Sequence, residues 1–143
     1  MRGARLLAVA AGVSLLAGCG SDSSGGAPSK AAWTAKHGGA LKTLDTDLDA
    51  ARATLSSLQR PNILGSCTVL RDSTNEVRKG LPVPDPAADA ALRAGLDAID
   101  VGVEDCVRGA QGPNIPQLER SFGELREAHT LMDVAHRTLD AWR

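Results

Sequence analysis

Three histidines are the residues in this 143-residue chain whose types and spacing come closest to a metal site. Two imidazoles and a carboxylate are ligands that suit copper or zinc. His129 and His136 are seven residues apart, which on one helix is about 10.5 Å, too far for both to bind one ion. The compact arrangement is a pair of His37 and His136 completed by Asp133 or Asp140. It requires the start of a first helix to lie beside the end of a last one.

The same histidines also have an ordinary structural interpretation. His37 would form a local hydrogen bond near the start of a helix, and the other two would flank a helix seam in solvent. Asp133 and Asp140 would then pair with a neighbouring histidine or with Arg137. Both interpretations remain open at the level of sequence.

Three alternating aspartates, Asp45, Asp47 and Asp49, invite a calcium interpretation. A calcium-binding loop of the helix–loop–helix type that begins at Asp45 requires glycine at its sixth position and glutamate at its twelfth. The chain has Ala50 and Ser56 at those positions. On a helix the three acids also point in different directions. We therefore interpret them as a solvated helix surface.

Other residues that carry chemistry are sparse. No GxSxG nucleophile motif and no glycine-rich phosphate loop occurs in the sequence. The net charge of −1 gives no electrostatic basis for binding nucleic acid. We expect neither catalysis, nor a cofactor, nor a nucleic-acid partner.

The first 18 residues have the pattern of a signal peptide. Arg2 and Arg5 give a positive start, and residues 6–18 carry no charge. Those 13 residues are shorter than the about 20 that a spanning helix requires. The segment ends Leu16-Ala17-Gly18 before Cys19, which resembles the lipobox of bacterial lipoproteins. The resemblance implies cleavage before Cys19 and attachment of lipid, with acyl chains such as palmitate, to that cysteine.

This interpretation divides the chain into a signal peptide (1–18), a lipidated cysteine with a flexible tether (19–29) and a domain (30–143). The tether is rich in Gly and Ser and has no apolar periodicity. We expect the domain to be held by lipid at the extracytoplasmic face of the cell membrane. The alternative is an ordinary secretory signal in which Cys19 occurs by chance.

Two cysteines remain, Cys67 and Cys106, both on apolar helix stripes. An exported chain favours a disulfide between them. Cys67 is near the start of a second helix and Cys106 near the end of a third, so an antiparallel pair places both at the same end. Two buried thiols, or a redox-active or metal-binding pair, are the alternatives, although no CxxC spacing supports the last.

Four amphipathic helices account for the apolar pattern after residue 30, and no alternating strand pattern is visible. The first stripe runs from His37 to Leu58, and Pro61 ends it. A weaker second stripe begins between Asn62 and Ser66 and ends near Gly80. We predict an all-α fold, an antiparallel four-helix bundle, with a three-helix fold as the alternative if the second stripe is partly loop.

The third and fourth helices have strong start signals. Asp85-Pro86 is an N-cap followed by a proline in the first turn, and Asn114 caps the last helix. Glycines recur at every seventh position beside the third stripe, which predicts a face that another backbone approaches closely. These are Gly95, Gly102 and Gly109. Trp33 and Trp142 are expected to meet at one end of the bundle, as packing or as an exposed aromatic patch.

The exported part is similar to a loosely defined family of small actinobacterial lipoproteins over about residues 31–110. The residues that carry the resemblance are Trp33, His37-Gly38, Leu41, Leu44, Asp47, Cys67, Leu81-Pro82, Pro84-Asp85 and Cys106. The resemblance implies a helical domain with Cys67 paired to Cys106, and it supplies no catalytic residues. The last third of the chain departs from it into general amphipathic helix.

We therefore expect a lipid-anchored, non-catalytic binding or scaffold module that contacts the membrane through Cys19. Its protein partner is not named by the sequence. The alternative function is a metal- or small-ligand-binding lipoprotein that uses His37 and His136.

Overall fold

The computed structural model describes residues 26–58, 60–112 and 114–143. They form four helices, α1 (Lys30–Ser56), α2 (Arg60–Arg78), α3 (Pro86–Gln111) and α4 (Ile115–Ala141), and no strand. The predicted all-α four-helix arrangement is confirmed. The predicted signal peptide and the lipidation site Cys19 lie outside the described residues. No helix in the described part is long and apolar enough to cross a membrane.

Helix α1 buries the stripe that its sequence predicts. Ser29 caps its start by accepting a hydrogen bond from the backbone N–H of Ala32. The side chains on the stripe between residues 41 and 55 are buried. Leu58 departs from the prediction: it lies beyond the helix in a left-handed conformation (φ 49°) and is 45% exposed.

Helix α2 begins earlier than predicted. It starts at Arg60, so Pro61 lies in its first turn rather than only ending α1. A proline is favoured there, because its fixed φ suits a helix and its missing N–H has no partner in the first turn. The helix has 19 residues, which excludes the three-helix alternative.

The connection from α2 to α3 turns at Gly80 and runs through a cis Leu81–Pro82 bond. Asp85 then caps α3, because its Oδ1 accepts from the N–H of Ala88 at 2.8 Å. Asn114 caps α4 in the same way, accepting from Gln117. Both predicted caps are confirmed.

The heptad glycines of α3 face α4, as predicted. A β-carbon built on Gly102 would lie 2.5 Å from Cδ2 of Leu125 and 3.3 Å from its backbone nitrogen. Gly95 and Gly109 meet Met132 and Leu118 in the same way, each one heptad from the Gly102–Leu125 contact on opposite sides of it. The absence of a β-carbon at these positions lets α3 and α4 form the largest helix interface in the described chain.

Each helix packs on two others, in the order α1–α2–α3–α4 and back to α1. Cys67 and Cys106 join α2 to α3 at disulfide distance, with a Cα–Cα separation of 6.3 Å that lies within the normal range. The interface between α1 and α4 is the smallest of the four. Three helix interfaces are therefore closely packed, and the fourth, between α1 and α4, is loosely packed.

Candidate functional site

A groove runs along the loose side of the bundle, between α1 and α4, and we call it the α1–α4 groove. It consists of a series of pockets lined by residues of these two helices and, at its far end, of the turn after α1. The first two pockets have volumes of about 250 Å³ and about 180 Å³ and share Asp45 and His136. Together they approach the size of a small-ligand site.

The first pocket has an apolar floor and a charged rim. Trp33, Leu41 and Leu139 are buried and line it. The indole N–H of Trp33 donates to the backbone carbonyl of Gly80 at 2.9 Å, which fixes the ring in place. The rim carries charges of both signs from α1 and α4: Lys30, Lys42, Asp45, His136 and Asp140.

The second pocket is polar and holds two histidine–aspartate pairs. Nε2 of His136 on α4 lies 2.9 Å from Oδ1 of Asp45 on α1, at hydrogen-bond distance. His129, two turns earlier on α4, lies 3.6 Å from Asp49 and 3.7 Å from Asp133. The centre of the groove is therefore bridged by imidazole and carboxylate groups from both helices.

The His136–Asp45 contact changes the acid–base behaviour of the imidazole. The hydrogen bond to Asp45 raises the pKa of His136 above its ordinary value, and the negative charges of Asp45, Asp133 and Asp140 add to this effect. Partial burial of the ring acts in the opposite direction and is the smaller influence on the pKa. The ring therefore retains its proton to a higher pH than a free histidine does.

The far end of the groove is mainly apolar. Phe122 of α4 lies between two shallow pockets there. Arg52 lines one of them and pairs with Asp49 at 3.1 Å, and Leu58 lines the other. The left-handed backbone at Leu58 holds this side chain at the rim of the groove rather than in the core.

The structure separates the two histidines that the sequence analysis placed together. His37 packs on Trp33, with ring centroids 5.2 Å apart, and its ring lies over Gly80. His136 meets α1 at Asp45 instead, eight residues or about 12 Å further along that helix. In the described part of the chain no three His, Cys, Asp or Glu side chains are arranged to hold a metal ion. The described side chains therefore show no assembled cluster of His37 and His136 with Asp133 or Asp140.

The physical reason is the register of α1 against α4. Trp33 and Trp142 do meet edge to face, with ring centroids 6.3 Å apart, so the two helix ends are adjacent as predicted. His136, six residues before Trp142, contacts Asp45 near the middle of α1 and not His37 near its start. Asp133 and Asp140 do lie in the groove, beside His129 and in the first pocket respectively.

Asp45 and Asp49 are the groove residues that the sequence analysis missed. They were assigned to a solvated surface because their spacing fails as a calcium loop. One signal was present: both acids lie on a single face of α1, four residues apart, while two histidines lie on a single face of α4. Facing stripes of opposite character on the first and last helices of an antiparallel bundle indicate a polar seam.

The His136–Asp45 pair lines both pockets, and Thr34 is a hydroxyl-bearing residue that lines the first of them. An imidazole–carboxylate pair can accept and release a proton, but covalent catalysis also needs a nucleophile beside it. The described residues that line the second pocket include no serine, threonine or cysteine. Comparison of the chain with protein-family models, with curated proteins and with solved structures gives no match.

Proposed function

We propose that this protein is a lipid-anchored binding module at the extracytoplasmic face of the membrane, and that the α1–α4 groove is its binding surface. The observation that carries the proposal is the contrast between the helix interfaces. Three are closely packed, whereas the fourth leaves pockets that join an apolar floor to a row of ionisable side chains.

Lipid anchoring of the chain is supported by residues 1–19, which precede the helical domain. The Leu-Ala-Gly-Cys string that ends at Cys19 follows a charged start and a short apolar stretch. Acyl chains on Cys19 would replace the removed apolar segment, since each buried methylene contributes about 0.8 kcal/mol to membrane binding.

An extracytoplasmic location is supported by the cysteine pair. Cys67 and Cys106 are buried and at disulfide distance. Disulfides persist in oxidising compartments outside the cytoplasm. The pair is therefore consistent with the export that the leader sequence predicts.

The chemistry of the groove indicates an amphipathic ligand. An apolar or aromatic part would pack on Trp33, Leu41 and Leu139, and a polar part would reach the imidazole and carboxylate of His136 and Asp45. Such a site, with few polar groups placed at the edge of an apolar floor, is typical of small-molecule binding.

The proposal is tested by screening a fragment library of small aromatic acids and amines by NMR against the mature full-length chain. We expect amide shifts that map to α1 and α4, and their loss in the variant Thr34→Trp, because a large ring at this lining position fills the first pocket. Ala90→Trp, at an exposed position of α3, is the control and retains the shifts. Shifts that map to α2 and α3, or no shifts with any fragment, contradict the proposal.

A further inference from the structure

We propose that His136 and Asp45 form a proton-dependent latch on the α1–α4 groove. In its protonated form His136 holds α1 against α4 and the groove is closed. When the proton is lost, the pair weakens and α1 separates from α4 over the part of the helix around Asp45.

The first step of the argument is the position of the pair. Asp45 is on α1 and His136 is on α4, so their 2.9 Å contact crosses the smallest interface of the bundle. The other polar or aromatic side-chain contacts across this interface, within the described residues, are the His129–Asp49 pair at 3.6 Å and, at the ends of the helices, the Trp33–Trp142 contact and a hydrogen bond that Lys30 Nζ donates to the carbonyl of Asp140. The His136–Asp45 pair is therefore one of the few contacts that hold the middle of α1 against α4. The same contact across α3 and α4 would be a minor addition to a continuous apolar seam.

The second step is that the pair can move. The side chain of His136 is 37% exposed and that of Asp45 is 41% exposed, so both can separate into water. Pockets lie on both sides of the contact, and both pockets are lined by these two residues. Separation of the pair therefore merges two small pockets into one larger opening.

The third step is the charge environment of the imidazole. Every charged or titratable group that lines the two pockets belongs to α1 or α4, and none belongs to α2 or α3. From α1 these groups are Lys30, Lys42, Asp45 and Asp49, and from α4 they are His129, Asp133 and Asp140. Carboxylates outnumber ammonium groups around the ring, so the surroundings favour a positive imidazole. This agrees with the raised pKa of His136, to which Asp45 contributes most.

The sign of the effect follows from linkage. The folded-state pKa of His136 is raised, so the stabilisation from the pair is fully present below the ordinary histidine value of about 6.5. It is lost as the pH rises through the raised folded-state value. The latch is thus closed in mildly acidic solution and open in mildly alkaline solution.

The test is amide hydrogen exchange of the mature chain as it is purified, between pH 5.5 and 8.5 and corrected for intrinsic exchange rates. We expect protection factors of residues 41–49 to fall by a factor of about two to five as the pH rises, which is the range of half-exposed ion pairs. Protection of α3 is the internal reference and stays constant. A parallel change in α1 and α3 would show global stability linkage and overturn the latch.

Three variants make the assignment specific. His136→Gln removes the proton-dependent charge, so exchange in α1 should be at its open level at all pH values. His136→Arg keeps a positive charge, so α1 should stay protected at pH 8.5. His37→Gln is the matched control on a histidine that does not line the two pockets, and it should retain the wild-type pH dependence. A pH dependence that survives His136→Gln overturns the proposal.

The latch rests on the proposed function in one respect only: the purpose assigned to the separation of α1 from α4 is access of a ligand to the groove. The exchange measurement contains no ligand and reports the movement of α1 alone. If the fragments fail to bind but α1 still opens with pH, the latch stands and the binding function fails. If the fragments bind at α1 and α4 with no pH-dependent exchange, the reverse is true.

Discussion

The carboxyl group of Glu124 is partly buried by the fold, although a carboxylate is more stable in water. It lies on α4, and one of its carboxylate oxygens is buried without a hydrogen-bond partner. Burial raises the pKa of Glu124, and the nearby charges of Asp105 and, to a smaller extent, Glu127 raise it further, while Arg120 lowers it. An ionised Glu124 is therefore destabilising to the folded chain, because the unfolded chain ionises the same group more easily.

The first prediction concerns this carboxyl group. Glu124→Gln removes the charge, so we expect the free energy of unfolding to be unchanged or higher at pH 7. The difference from the wild type should vanish as the pH falls below the ordinary glutamate value of about 4.3, where both states are protonated. Urea unfolding at several pH values measures it. Glu119→Gln, at an exposed position on the same helix, is the control and should show no such pH-dependent gain. A large loss of stability in Glu124→Gln at pH 7 would contradict this account.

The glycines of α3 and the cysteine pair act at the scale of helix pairs, because each lies where two helices meet. On α3 a glycine lowers helix propensity, yet three of them are kept at heptad spacing where α4 approaches. The gain is the close contact itself, since the opposing leucine and methionine side chains fill the space that β-carbons would occupy. Local helix preference is lower here, and the packing between the helices compensates for it.

The second prediction separates these two effects. Gly102→Ala adds a β-carbon against the fully buried Leu125. Overpacking of this kind costs about 1–3 kcal/mol, more than the roughly 1 kcal/mol gained in helix propensity. The matched control is Gly123→Ala on α4, where a β-carbon would meet nothing within 4 Å. We expect the control to be stabilised by about 0.5–1 kcal/mol in thermal or urea unfolding. If both alanines stabilise the chain, the close approach of α3 and α4 is not a constraint.

The third prediction concerns the pair that joins α2 to α3. Cys67 and Cys106 close a segment with a sequence separation of 39. Replacement of Cys67 by alanine should lower the free energy of unfolding by about 2–5 kcal/mol, the usual range for a native disulfide in a small secreted domain. Intact-mass analysis of the exported protein, alkylated without reductant, should show no label on Cys67 or Cys106. Labelling of both thiols would show that the pair is not bonded.

At the scale of the whole molecule, the question is where the groove lies relative to the predicted lipid anchor at Cys19. Helix α1 begins at Lys30, directly after the predicted tether, and the first pocket of the groove lies beside that start. An anchored chain would therefore present the first pocket of its groove, with the apolar floor and the charged rim, nearest to the membrane. The tether of about ten residues gives an r.m.s. reach of roughly 17 Å.

The fourth prediction tests the anchor. Cys19→Ala removes the sulphur that lipid would modify, so neither lipidation nor cleavage before residue 19 can follow. We expect either an uncleaved precursor, which keeps residues 1–18 and stays in the detergent phase through its apolar segment, or a protein released by cleavage elsewhere; neither carries the mass of a lipid. Phase partitioning followed by intact-mass analysis measures both. Cys67→Ala, which leaves the leader intact, should remain in the detergent phase. A Cys19→Ala chain that has lost residues 1–18 and still partitions into detergent like the wild type would refute lipid anchoring at this residue.

Local signals predicted much of the architecture. The apolar periodicity of α1, α3 and α4 needs only neighbouring residues to define it, and so do the caps at Asp85 and Asn114. The glycine face of α3 was also predicted from the sequence, because heptad spacing places three residues without a side chain on one side of a helix. The predicted start of α2, between Asn62 and Ser66, lies C-terminal to the observed start at Arg60. The prediction used Pro61 only as the end of α1, although a proline suits the first turn of a helix equally well.

The sequence by itself therefore determined the all-α class, where most of the helices begin and end, and which faces they bury, whereas the length of α2 in the structure excluded the three-helix alternative. Only the tertiary structure decided which residues of α1 and α4 meet. The register of two helices that are distant in sequence is set by the sum of packing across all four, and no local pattern contains that sum. This is why His136 meets Asp45 and not His37, and why the candidate site is a groove rather than the metal cluster that the residue types suggested.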